Sequence, residues 1–146
     1  MRVLVVGTGS IARRHLANLQ SDPSVSATAM VRSRAGRPDT PHPPAAPVLA
    51  SMDEAMEWKP DRVVVASPAP FHLEQARSFA LAGIPLLIEK PLSNTWEECI
   101  AHQTWLLAAQ AQISVGYNLR YLPSAVFLSE FLGQGRLTGI SSISIE

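Results

Sequence analysis

An aliphatic run, Arg2-Val3-Leu4-Val5-Val6, leads directly into Gly7-Thr8-Gly9-Ser10-Ile11-Ala12, and this junction constrains the fold more than any other feature. A continuous β-branched and leucine run of this length reads as a strand buried on both faces, as in a parallel sheet. A helix is expected next, over Ser10 to Gln20, with Ile11, Ala12, Leu16 and Leu19 on one side. In the G-x-G-x-x-A turn between them, the first glycine permits the tight turn and the second lets a pyrophosphate approach the backbone. The small Ala12 lets helix and strand pack closely. Unpaired N–H groups and the positive end of the helix dipole then face the phosphates. The loop suits a dinucleotide. A purely structural turn and a methyltransferase-type adenosine site remain the alternatives at this point.

The rest of the chain alternates in the same way. Strands are expected over Ala27 to Val31, 62–66, 84–88 and 113–116, with a short one at 48–50. Ser51-Met52-Asp53-Glu54 is a capping box opening a short helix that ends before Pro60, and a helix over 69–82 should stop at Gly83. A second capping box, Thr95-Trp96-Glu97-Glu98, predicts one long helix to about residue 111. Five of the twelve prolines lie between Pro38 and Pro47, which predicts a surface loop. Strands alternating with helices imply βαβ crossovers, hence an α/β doubly wound domain with a parallel sheet. The pattern then changes: 121–132 reads as a helix, Gly133 and Gly135 break it, and 137–146 reads as a strand.

Composition narrows the function classes. With 146 residues, 47% apolar and 16% charged, the chain has the makings of one folded domain. Twelve basic and twelve acidic residues cancel, which argues against nucleic acid or an anionic membrane as main partner. Cys99 is the single cysteine, and the four histidines show no i, i+4 pairing, so no metal site is expected. The apolar runs are too short to span a bilayer and the N-terminus lacks a signal-peptide pattern. The expectation is a soluble, reduced, cytoplasmic protein.

In open α/β sheets, ligands sit beyond the carboxyl ends of the strands. The second strand ends in Val31-Arg32-Ser33-Arg34, without the acid that an NAD site uses for its ribose 2′-hydroxyl. Two guanidiniums and a hydroxyl suit a 2′-phosphate instead, and a solvated basic loop is the alternative. Lys90, one of two lysines, follows five apolar residues at a strand end. A desolvated cation there would polarise a carbonyl accepting hydride, unless the side chain simply escapes into solvent. His15 and His42 read as surface residues, His102 as part of an amphipathic helix, and Arg13-Arg14 as the polar side of the first helix. Trp96 and Trp105 are expected to pack the long helix.

Ser67-Pro68-Ala69-Pro70-Phe71-His72, Glu89-Lys90-Pro91 and Tyr117-Asn118-Leu119-Arg120 follow the glycine loop in that order. With these four motifs the chain resembles the N-terminal half of the glucose–fructose oxidoreductase / inositol dehydrogenase (Gfo/Idh/MocA) family. The resemblance implies a Rossmann domain over 1–120. Residues 121–146 would be a linker helix and first strand of an incomplete, truncated C-terminal α/β substrate domain. It implies that Gly7, Gly9, Ser10, Ile11 and Ala12 hold the pyrophosphate and that Arg32, Ser33 and Arg34 receive the adenosine ribose or its phosphate. Ser67, Pro68 and His72 would line the nicotinamide side, with Glu89 and Asn118 near its ribose. Lys90 would be the catalytic residue at the substrate hydroxyl or carbonyl.

The cofactor expected is NADP in preference to NAD, and the substrate a sugar or polyol derivative. The family's D-x-x-x-H histidine is not in this sequence, so the chain is expected to bind cofactor without turning over substrate. Its terminal strand, left with an unpaired edge, could join a second copy in a homo-oligomer. A noncatalytic nucleotide-binding or sensor module is the alternative of a different class.

Overall fold

Val3, Leu4, Val5 and Val6 are all buried, with alternate residues entering two separate apolar clusters. Their strand must therefore lie inside a sheet covered on both faces. The structure, a computed structural model, describes residues 1–32 and 46–134. It contains the strands β1 (Arg2–Val6), β2 (Ala27–Val31), β3 (Val48–Leu49), β4 (Arg62–Val65), β5 (Leu86–Ile88) and β6 (Ile113–Val115). They form one parallel sheet in the order β3-β2-β1-β4-β5-β6. The order reverses between β1 and β4, where an α/β sheet opens its ligand crevice.

Helices cover both faces. Helix α1 (Ser10–Gln20) packs Ala12 and Leu16 against Val3, Val5, Met30 and Val64. The opposite face receives Ala55 of α2 (Met52–Glu57), and Leu73, Ala76, Phe79 and Ala80 of α3 (His72–Leu81). Ser51 caps α2 by accepting the Glu54 N–H at 3.1 Å. Gly83, with φ of +75°, ends the turn after α3. A 3₁₀ turn at Ala69–Phe71 precedes α3, where the sequence predicts helix throughout.

The expected long helix is two: α4 (Trp96–Ala101) and α5 (Gln103–Ala108), parted at His102. Thr95 does cap the first by accepting the Glu98 N–H. The break lets Trp105 bury its ring while its indole N–H donates to His102 Nδ1 at 2.9 Å. Trp96 does not pack as expected: it is 72% exposed at the first position of α4.

Residues Met1–Gly116 form one compact unit, and a second begins at Tyr117. Within the second, a 3₁₀ turn at Asn118–Tyr121 precedes α6 (Pro123–Gly133), with proline at the first helical position. Gly133 is the last residue of that helix. Of the proline cluster over 38–47, residues 38–45 lie outside the described residues, as does the expected strand at 137–146 with the pairing of copies assigned to it. Ala46 is buried, and the Pro47 carbonyl accepts the Met30 N–H at 2.8 Å. Among the described residues no helix is long and apolar enough to cross a membrane, and no group of three or more metal-ligating side chains occurs.

Candidate functional site

The strand registers bring Val6, Val31, Val65, Ile88 and Val115 to one edge of the sheet. One further ladder bond fixes the residue that leaves each neighbouring strand. Gly7 N–H donates to the Val31 carbonyl at 2.8 Å and Ala66 N–H to Val6 at 2.9 Å. Glu89 N–H reaches the Val65 carbonyl at 2.9 Å and Gly116 N–H the Ile88 carbonyl at 2.8 Å. The glycine loop, Arg32, the Ser67 segment and Glu89 therefore emerge along one line.

Gly7 is required by its surroundings. Its φ is +117°, and a Cβ there would stand 2.8 Å from the Ala66 carbonyl oxygen. Gly9 is different: its φ and ψ are ordinary extended values, and a Cβ would meet nothing within 4 Å. That open space lies at the N-terminus of α1, which no side chain caps and whose first turn carries no acid. Ser10 and Ile11 are exposed there, Ile11 at 45% despite its place on the expected apolar side, while Ala12 is buried. Ser67 lies 92% buried beside the Gly7 turn, and its Oγ has no partner among the described residues. An uncapped helix start, a cradle that a Cβ would fill and an orphaned hydroxyl fit a bound pyrophosphate.

The turn after β5 is held from two helices. His72 Nδ1 is 2.9 Å from the Pro91 carbonyl and Nε2 is 2.7 Å from the Ser67 carbonyl. His72 is thus the buried anchor of the segment that the family resemblance assigns to the nicotinamide side, and it joins the turns after β4 and β5. From the other side, His15 Nε2 lies 2.7 Å from Glu89 Oε1. Glu89 Oε2 accepts the Lys90 backbone N–H at 3.2 Å. The Lys90–Pro91 peptide is cis.

Lys90 itself is exposed, so burial does not desolvate it as the strand-end position led one to expect. Pro68 is also exposed. Arg32 is half-buried directly after β2, whereas Ser33 and Arg34 lie outside the described residues. Asn118 belongs to the second unit, in its exposed 3₁₀ turn.

Two residues read as ordinary surface in the sequence have structural work at this edge. Arg13 Nε donates to the Thr8 carbonyl at 3.3 Å, bracing the glycine loop. His15 is half-buried against Glu89. The signal for His15 is present in the sequence: residues 12, 15, 16 and 19 follow the i, i+3, i+4, i+7 spacing of an inward stripe, so His15 faces inward with Ala12, Leu16 and Leu19.

Comparison with known proteins agrees with this geometry. Residues 1–117 match the Gfo/Idh/MocA family model, described as an oxidoreductase family with an NAD-binding Rossmann fold. An uncharacterized oxidoreductase of Synechocystis, sll0816, is 28% identical over all of this chain and 40% of its own length. Inositol 2-dehydrogenase 1 of Saccharopolyspora erythraea is 32% identical over 94% of this chain and 42% of its own length. Among solved structures, scyllo-inositol dehydrogenase from Lactobacillus casei, with bound NAD(H) and scyllo-inositol, superposes with a TM-score of 0.77. It is 21% identical, and the match covers 96% of this chain and 43% of that one. Myo-inositol dehydrogenase from Corynebacterium glutamicum gives a TM-score of 0.75 at 24% identity, over 92% of this chain and 41% of that one. These structures share the fold, and the chain spans about two fifths of the length of the relatives it matches. With the family model covering the whole sheet and the glycine loop at its topological switch, the chain belongs to the Gfo/Idh/MocA oxidoreductases and comprises their NAD-binding Rossmann domain.

Proposed function

We propose that this chain is the NADP(H)-binding part of an oxidoreductase moving hydride between a nicotinamide cofactor and a sugar- or polyol-like hydroxyl or carbonyl. The open cradle at Gly9, beside the uncapped start of α1, carries the reading. The backbone N–H groups of Ser10, Ile11 and Ala12 would hold the pyrophosphate there. Arg32, with Ser33 and Arg34 after it, would meet the adenosine ribose and its 2′-phosphate. Glu89 would take the nicotinamide ribose, with Ser67, Pro68 and His72 forming or supporting the wall beside the ring. The nicotinamide supplies or accepts the hydride when bound. Lys90 Nζ would hold the proton at the substrate oxygen.

The polyol class is supported by the inositol dehydrogenases among the relatives. The preference for NADP rests on Arg32, which stands where an NAD site carries an acid. The relatives are more than twice as long as this chain, and hydride transfer needs a substrate wall that holds the reactants in line.

Calorimetry with NADPH and NADH tests the proposal. Each charge-assisted hydrogen bond to the added phosphate is worth roughly 1.5–3 kcal/mol, or about tenfold and more in affinity. NADPH should bind more tightly, and Arg32→Ala should narrow the difference. Equal affinities would remove the NADP preference, and binding of neither cofactor would overturn the reading as a whole.

A further inference from the structure

We infer that His15 is a positioning residue for the nicotinamide end of the site, acting through Glu89. The inference rests on the function proposed above. His15 stands in the second turn of α1, on the stripe that also carries Ala12, Leu16 and Leu19. Its Nε2 meets Glu89 Oε1 at 2.7 Å, with the two side chains 24% and 21% exposed. The other carboxylate oxygen accepts the Lys90 backbone N–H. On its far side the carboxylate lies close to Gly116, where a Cβ would come within 3.5 Å of Glu89 Cδ and Oε2. One carboxylate thus touches α1, the turn bearing Lys90 and the exit of β6.

Each contact does a separate job. A glutamate side chain left alone samples many rotamers, and ordering it at the moment of ligand binding weakens the complex. The His15 ring, itself held by the packed helix, selects one Glu89 rotamer in advance. That rotamer in turn holds the Lys90 N–H, so the backbone of the turn is set along with the carboxylate. His15 sits about 7–8 Å along the axis from Ser10, at 1.5 Å per residue. A single rigid helix therefore supports both the pyrophosphate cradle at its start and the Glu89 carboxylate one turn later. The cofactor's pyrophosphate and its nicotinamide ribose would be registered against each other by α1.

ADP carries the pyrophosphate but no nicotinamide riboside, so it separates this role from general support of the helix. The measurement is calorimetry of the 146-residue chain with ADP and with NADH, together with the fluorescence of bound NADH. His15→Leu suits an inward stripe and keeps the fold while removing the ring nitrogen. It should weaken NADH about tenfold, leave ADP within about twofold, and reduce the fluorescence of bound NADH. His15→Gln, whose amide reaches the Nε2 position, should restore most of the NADH affinity.

Equal weakening of both ligands would reduce His15 to a support for α1 and overturn the inference. So would an unchanged NADH affinity, or a Gln variant no better than Leu. If the unsubstituted chain binds NADH no more tightly than ADP, its nicotinamide end is not engaged. The functional reading then fails at that end and takes the inference with it, an outcome visible before any variant is made.

Discussion

His72 Nδ1 lies 2.9 Å from the carbonyl oxygen of Pro91, so a ring buried at the start of α3 holds the residue that follows Lys90. His15 holds the residue that precedes it, through the Glu89 carboxylate. The exposed lysine is thereby carried on a turn clasped at both ends, each clasp coming from a helix on a different face of the sheet. Such an arrangement leaves the side chain in solvent while the backbone beneath it is fixed.

The two ring contacts of His72 can be separated by substitution. Asn places an amide near the Nδ1 position and keeps the Pro91 contact, whereas Gln reaches toward Nε2 and the Ser67 carbonyl. His72→Leu removes the ring that meets both carbonyls, and a buried carbonyl that loses its donor costs roughly 1–3 kcal/mol. Denaturant unfolding should rank Leu as least stable. NADH binding should be better preserved in Asn than in Gln if the Pro91 contact is what the site needs. A Leu variant as stable as the unsubstituted chain would show that the contacts are incidental.

The two loop glycines should fail in opposite ways. Gly7→Ala forces a Cβ against the Ala66 carbonyl at a φ of +117°, which costs on the order of 1–3 kcal/mol in backbone strain alone, and stability should fall. Gly9→Ala has both space and an ordinary φ of −74°, so unfolding should change little. Its methyl group would instead stand where the pyrophosphate approaches, and NADH affinity should drop by about tenfold or more. A Gly9→Ala variant that binds NADH normally would show that the phosphates lie elsewhere.

These contrasts explain what could be read from the sequence and what could not. Strands β1, β4 and β5 were legible because burial on both faces leaves unbroken apolar runs such as Val63-Val64-Val65. The glycine loop was legible because its chemistry is local: every residue it needs lies within six positions. His15 escaped because its partner is 74 residues away, and one polar side chain on a short helix carries no sign of what it meets. Lys90 escaped in the other direction. Five apolar residues before it describe the strand, not the turn that carries its side chain outward.

The break at His102 belongs to the same class of tertiary effect. Local propensity supports a continuous helix through 102, yet the Trp105 indole N–H is buried and takes His102 Nδ1 as its acceptor. His102→Leu leaves that N–H unpaired and should lower stability by about 1–3 kcal/mol in denaturant unfolding. If stability instead rises, the helix was being broken at a cost that the hydrogen bond did not offset.

Lys90 supplies the last test, because exposure and function make different demands on it. Since the side chain is exposed, Lys90→Ala should change stability by no more than about 0.5 kcal/mol. Cofactor affinity should also hold, as the contacts assigned to the cofactor come from Gly9, Arg32 and Glu89 rather than the ammonium. Turnover is another matter. In a protein joining this domain to a substrate domain, as the length of its relatives allows, losing a positioned proton donor typically costs roughly a hundredfold to ten-thousandfold in rate. Lys90→Arg sharpens the distinction, because a guanidinium keeps the charge but cannot release a proton near neutral pH. If Lys90 only attracts substrate by charge, Arg should rescue kcat; if it moves a proton, Arg should be nearly as slow as Ala. Measuring kcat for both variants over a panel of polyols and sugars decides between them, and near-normal kcat in Ala would leave Lys90 a surface cation with no part in the chemistry.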